Sequence, residues 1–236
     1  MRTEGLELMP VPLGEADVEV CLLDVAPLTD PESTANRFLT PREREEYARV
    51  RHPSRRREWL GARVCLKTML LRRGCVGDPI ECELVKDTRG RPSLSFASGL
   101  PANDVYDCSL SHKGRFACAG ASSLMGASVG VDIEEVSPRL LRLADAFAHD
   151  RDVLIRPRPT QERLALLWAV KEARAKALGR GLGVALENIV CEETTGGQLR
   201  VETAEGLTLR ARYLLHEGYV IVLCVKQDEV YATARE

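Results

Sequence analysis

Gly130-Val131-Asp132-Ile133-Glu134 has the alternation of a strand, so Asp132 and Glu134 project from one face while Val131, Ile133 and Glu135 project from the other. Adjacent like charges repel unless a cation sits between them, and hard oxygen donors suit Mg²⁺. Acidic pairs on solvated surfaces are also common, so this stretch alone leaves both readings open. A second group, Trp168-Ala169-Val170-Lys171-Glu172-Ala173-Arg174-Ala175-Lys176, has helical spacing. Trp168, Glu172 and Lys176 fall along one face, with Lys171 about 100° to the side. The plain reading is a solvated Glu172–Lys176 pair worth about 0.3–0.5 kcal/mol. Ser111-His112-Lys113-Gly114 ends a strand and offers a hydroxyl and an imidazole to a phosphate, with no acid nearby in sequence to complete a recognisable nucleophilic triad. Gly90-Arg91-Pro92 is a turn that displays one arginine.

These groups need elements to hold them. Residues 18–25 read as a strand followed by a polar connection to Thr40-Pro41, a helix start, and a short helix to about residue 50. Ser54 is the expected cap of a longer helix in which Trp59, Leu60, Val64, Leu66, Met69 and Leu70 recur at helical spacing, ended by Gly74. Extended segments follow at 81–85, 93–96, 106–111, 116–121 and 129–134. The second half repeats the plan: a helical region at 138–148, an Arg/Pro segment, a helix over 161–178 with Thr160 as cap and Gly179 as stop, and closing strands. The last two of these are joined at Glu217-Gly218. Two similar α+β halves are expected, with the boundary in the small-residue stretch 122–128.

The 236 residues fit one large domain or two small fused units, and 44% hydrophobic with 29% charged residues is the composition of a globule with a core. The 33 basic and 35 acidic residues nearly cancel, so any anion site is local and the chain as a whole is no partner for nucleic acid. One such locality is residues 42–63, with eight arginines against four glutamates, readable as a solvated face or as a phosphate-binding one. Eight cysteines without a C-x-x-C pair, several inside apolar runs, read as buried thiols of a cytoplasmic protein, and no run approaches the length of a membrane span.

Taken in order, Arg57-Glu58-Trp59-Leu60-Gly61-x-Arg63, Gly90-Arg91-Pro92, Ser111-His112, Gly130-Val131-Asp132-Ile133-Glu134 and Trp168-x-x-Lys171-Glu172-Ala173-x-x-Lys176 resemble the 4′-phosphopantetheinyl transferase superfamily, in its larger, surfactin-synthetase-activating (Sfp-like) type. The set spans about residues 40–183, and Gly218-Tyr219 also fits. The resemblance implies an α+β fold, a pseudo-dimer of two similar subdomains (1–125 and 126–236). Each would be a small antiparallel sheet packed with a long helix, with the active site in the cleft between them. It implies transfer of the phosphopantetheine arm of coenzyme A to a serine hydroxyl of an apo carrier protein, with release of adenosine 3′,5′-bisphosphate.

By the same resemblance Asp132, Glu134 and Glu172 would hold Mg²⁺, and Glu172 is the first candidate for the base. Lys171 and Lys176 would neutralise the pyrophosphate, Lys176 being favoured. Arg57, Arg91 and His112 would lie around the 3′-phosphate and adenine, with Ser111 near the phosphates and Arg63 a secondary candidate that could serve only the fold. Partners are coenzyme A and acidic helical-bundle carriers steered by the Arg42–Arg57 cluster together with Arg151, Arg156 and Arg158, and the chain is expected to act as a monomer, away from membranes. Two departures stand out. Ala146-Phe147-Ala148-His149-Asp150-Arg151-Asp152 replaces the paired phenylalanines and acid common in relatives, and Lys113 stands where a small polar residue is common. A non-catalytic coenzyme A or carrier-binding module would be expected to lack one of Asp132, Glu134, Glu172 or Lys176, and all four are present. Another Mg²⁺-dependent phosphotransferase would be expected to carry a Gly-rich phosphate loop, which the sequence lacks.

Overall fold

The computed structural model describes residues 6–14, 17–97, 105–179, 186, 189–194, 197–203, 206 and 208–227. Among the described residues, four α-helices, two short 3₁₀ stretches (Pro79–Glu81 and Pro138–Ala146) and eleven strands are formed. Asp30 accepts from Ser33 N and Pro31 fills the first turn of α1 (Pro31–Phe38), an element absent from the sequence reading because only Ala35 and Phe38 of its eight residues are buried. Thr40 and Glu43 form a capping box at the start of α2 (Pro41–Arg49). Helix α3 (Pro53–Arg72) begins one residue before Ser54, and it has no side-chain cap: the Ser54 hydroxyl bonds to His52 Nδ1 instead. Thr160 likewise is the first residue of α4 (Thr160–Ala177), with Pro159 at the cap position. Gly74 and Gly179 follow the two long helices with φ of 70° and 62°.

The ladders between the described strands are all antiparallel, and a single isolated bridge, Val153–Glu192, is parallel. One sheet has the order β1-β2-β6-β5, formed by Leu8–Pro10, Val18–Asp24, Phe116–Ser122 and Asp107–Lys113. Strands β3 (Cys82–Lys86) and β4 (Pro92–Phe96) make a separate hairpin, and the second sheet runs β7-β11-β10-β9-β8. Its strands are Ala127–Glu135, Tyr219–Gln227, Thr208–His216, Gln198–Thr203 and Ile189–Glu193. The chain crosses from one sheet to the other through residues 123–126. The tight β10–β11 turn places Glu217 at φ 47° and Gly218 at φ 79°, the left-handed pair that matches strand twist.

Strand alternation builds a four-layer stack. Cys21 and Leu23 of β2 and Ala117, Ala119 and Ala121 of β6 join the core under α3. Val20, Leu22, Phe116 and Cys118 turn the other way to meet Val131, Ile133, Ile221 and Leu223 between the two sheets. Val220, Val222 and Cys224 of β11 then face the core under α4. At the sheets' adjoining edges, Asp107 Oδ2, Ser109 Oγ and Ser111 Oγ accept from the backbone N–H groups of Val129, Val131 and Ile133 at 2.6, 3.0 and 3.4 Å. Alternate side chains of β5 thus satisfy the outer edge of β7.

The same buried wiring occurs in both halves. Lys67 Nζ of α3 reaches Glu43 Oε2 at 2.5 Å and the Phe38 carbonyl at 2.9 Å, while Glu43 also accepts from Thr40 N and Leu84 N. Lys171 Nζ of α4 reaches Asp152 Oδ2 at 3.1 Å and the Phe147 carbonyl, while Asp152 also accepts from His149 N and Cys191 N. Both ammonium groups are fully buried. Each is paired and hydrogen-bonded, the condition under which a buried charge is tolerated.

Candidate functional site

Gly130 sets the distance between β7 and α4. A Cβ there would lie 1.9 Å from the Ala173 carbonyl oxygen and 2.6 Å from Ala177 N, so only glycine lets the helix backbone rest on the strand. That approach brings the Glu172 and Lys176 side chains over Asp132. Lys176 Nζ donates to Asp132 Oδ1 at 2.8 Å, to Val131 O at 3.0 Å and to Leu110 O at 3.2 Å. Its three donors are therefore occupied, and they tie α4 to both β5 and β7. Ser111 Oγ donates to the same Asp132 oxygen at 2.7 Å. Asp132, 4% exposed, is held from two sides, while its Oδ2 and Glu172 Oε1 are buried with no hydrogen-bond partner.

The electrostatics follow from crowding. Burial, then Asp132 and Glu134, raise the Glu172 carboxyl from 4.5 to about 7 against the pull of Lys176. Burial and Asp132 also raise Glu134, opposed by Lys113, whose ammonium lies 2.7 Å from Glu134 Oε2. The two orphaned oxygens and the chemistry of the donor set fit a hard divalent cation. As the side chains stand, no three histidine, cysteine or acidic side chains among the described residues are grouped to hold a metal ion, and Glu134 is paired with Lys113.

Beside this cluster is a cleft of about 180 Å³ whose wall includes Trp59, Arg63, Lys86, Arg91, His112 and Lys176. Lys176 belongs to both the cleft and the acidic cluster. His112 Nδ1 lies 3.1 Å from Glu58 Oε2, and the other Glu58 oxygen accepts from Gly114 N at 3.0 Å. A carboxylate only accepts, so Nδ1 carries the proton and Nε2 is left for the cleft. Burial lowers the His112 pKa despite Glu58, with Arg55 and Lys176 acting in the same direction, so the imidazole rests neutral at pH 7 rather than charged. Glu58 is a residue that sequence reasoning missed. It lies within the quoted Arg57-Glu58-Trp59 motif, but its partner is 54 positions away.

Arg91 donates to Asp107 Oδ2 at 2.8 Å and reaches the Ala177 carbonyl at 3.4 Å, joining the β3–β4 turn to the end of α4. Arg63 is buried, stacked 3.1 Å over the Trp59 ring and near Glu43 and Glu46; burial lowers its pKa to about 10. Arg57 is exposed on α3 and is not part of the cleft wall. Lys171 requires a correction. The neighbour of Glu172 in sequence, it points into the core under α4 and is consumed by Asp152 and Phe147, so it does not face the acidic cluster. The segment 146–152 supplies both partners.

The description "4'-phosphopantetheinyl transferase superfamily" belongs to the family profile that matches residues 128–224. Among curated proteins, the chain is 30% identical over 128 residues to 4'-phosphopantetheinyl transferase psf-1 of Bacillus pumilus, covering 52% of this chain and 54% of that protein. It is 24% identical over 200 residues to 4'-phosphopantetheinyl transferase Sfp of Bacillus subtilis (81% and 84%). To 4'-phosphopantetheinyl transferase HetI of a Nostoc species it is 30% identical over 196 residues, 78% of each.

Proposed function

The chain belongs to the 4′-phosphopantetheinyl transferase superfamily, and from that membership we propose that it moves the phosphopantetheine arm of coenzyme A onto a serine of an apo carrier protein. The observation that carries this reading is the meeting of Asp132, Glu172, Lys176 and Ser111 beside a cleft lined by cationic side chains and His112. Asp132, Glu134 and Glu172 would hold Mg²⁺, which when bound neutralises charge on the pyrophosphate's non-bridging oxygens.

The chain's own groups do the rest. The serine oxygen attacks the phosphorus that bears the pantetheine arm, the bond to the bridging oxygen breaks, and adenosine 3′,5′-bisphosphate leaves. Glu172 accepts the serine proton, directly or through a water. Lys176, its donors engaged, contributes positive charge to the cleft floor rather than a free hand. His112, oriented by Glu58, meets the 3′-phosphate through Nε2, and a dianion there would draw a proton onto it. Arg91 at the cleft wall makes a further phosphate contact, and exposed Arg57 meets either the outer phosphate or the carrier.

The two halves read as a duplicated unit, with subdomains 1–125 and 126–236 forming a pseudo-dimer around one cleft. The repeated order of β2-β6-β5 and β7-β11-β10 and the twin Lys67 and Lys171 networks support this. Such a chain completes its site alone and works as a cytoplasmic monomer. The exposed Arg42, Arg49 and Arg51 on and after α2 suit an acidic carrier.

The test is intact-protein mass spectrometry of a panel of apo carriers incubated with the protein, coenzyme A and Mg²⁺. A gain of one phosphopantetheine group on at least one carrier is expected. No gain on any carrier, with coenzyme A still bound, would turn the reading into a binding module.

A further inference from the structure

Strand alternation gives β5 a row of four side chains directed at β7: Asp107, Ser109, Ser111 and Lys113. The first three meet backbone N–H groups of β7, and Ser111 also meets Asp132. The fourth meets a site carboxylate, with Lys113 Nζ 2.7 Å from Glu134 Oε2. Both partners are largely sheltered, the lysine side chain 29% and the glutamate 13% exposed. The ammonium is thus delivered by the same periodicity that joins the sheets.

We propose that Lys113 is a built-in counter-cation that competes with the divalent ion for Glu134 and thereby sets how tightly this chain binds metal. The inference rests on the transferase reading only for the identity of the ion.

The charges support it. Asp132, Glu134 and Glu172 carry three negative charges when ionised, and Lys176 and Lys113 already offset two of them. A divalent ion entering this arrangement finds a single uncompensated charge and two like-charged neighbours. It also finds Glu134 already paired with Lys113, and no three donors are grouped among the described residues. Asp132 Oδ2 and Glu172 Oε1 remain available, buried and without hydrogen-bond partners. Entry of the ion therefore requires Lys113 to yield Glu134. Lys176 is not an equivalent competitor, because two backbone carbonyls hold it in place whether or not Asp132 is engaged.

The experiment measures metal binding directly. Mn²⁺ is titrated into the wild type, Lys113→Met, Lys113→Ser and Lys113→Arg with free ion followed by electron paramagnetic resonance, and the series is repeated with Mg²⁺ by calorimetry. Two neutral variants are used so that a folding defect in one leaves the other, and circular dichroism checks each. The neutral variants are expected to bind about tenfold more tightly, in line with the roughly one to three powers of ten by which a nearby opposite charge shifts a carboxylate's proton affinity. Lys113→Arg should bind as the wild type does. Unchanged or weaker binding in the neutral variants overturns the proposal, as does tightening in Lys113→Arg equal to theirs. Carrier modification by the wild type is assayed separately. Transfer without the tightening sinks the counter-cation alone, and tightening without transfer sinks the transferase reading alone.

Discussion

At the scale of single residues, Glu172 is the group whose environment most shapes its chemistry. Its carboxyl is raised from 4.5 to about 7 by burial and by Asp132. An acid whose folded pKa lies above its unfolded one binds a proton in the native state where the unfolded chain has lost it, so stability falls as pH rises through that window. In chelator, the wild type is expected to lose melting temperature between about pH 4.5 and 7 relative to Glu172→Gln, with no difference below that window. Parallel melting curves across the range would remove the crowding account, and a Gln variant that still modifies carriers would remove Glu172 from the chemistry. Asp132, Ser111 and Lys176 were legible in the sequence because two-residue and four-residue periods fix their directions locally. Glu58 was not, since nothing in a single chain says that a helix residue will meet a histidine 54 positions later. Lys171 misled for a related reason: helical spacing gave its angle, while the buried Asp152 that claims it lies on a loop.

At the scale of elements, Lys67 and Lys171 play matching parts: Lys67 ties α3 to the end of α1 and to Glu43 of α2, Lys171 ties α4 to Phe147 and Asp152, and each paired carboxylate also accepts from a following strand. Removing one member of a buried pair strands the other's charge, at a cost of about 3–5 kcal/mol. Lys171→Met is therefore expected to lower stability in denaturant titration by that amount, and Lys67→Met to do the same. Lost carrier modification with undiminished stability in Lys171→Met would instead return Lys171 to the site. The strands other than β1 (Leu8–Pro10) and both long helices followed from hydrophobic period and punctuation, whereas helix starts at Ser54 and Thr160 shifted because a proline already fills the first turn or the cap at each. Gly130 was legible as part of a motif but not as a spacer, a role set by a helix more than 40 residues distant.

At the scale of the whole molecule, the halves share a core between their sheets and a joint made of β5 side chains, so they are expected to unfold together. Ser109→Ala would leave Val131 N–H without its acceptor and cost about 1–3 kcal/mol. Circular dichroism and tryptophan fluorescence should still report one coincident transition. Two separated transitions would show the halves to be thermodynamically independent. The proposed duplication rests on a recurring order of elements in the sequence, whereas the difference between the two halves shows only in the tertiary structure. Counted from the equivalent turns, Cys21 and Leu23 stand where the other half has Asp132 and Glu134, and Thr68 follows Lys67 as Glu172 follows Lys171. The joint carries one more consequence. The side chains of odd-numbered Asp107, Ser109 and Ser111 of β5 fasten the sheets, while even-numbered Cys108, Leu110 and His112, along with Ser109, line the cleft. Losing a single residue from this strand would exchange the two sets, spoiling the fastening and the cleft in one event. Length here is as constrained as identity, and β5 is the stretch where insertions and deletions should be least tolerated during the protein's divergence.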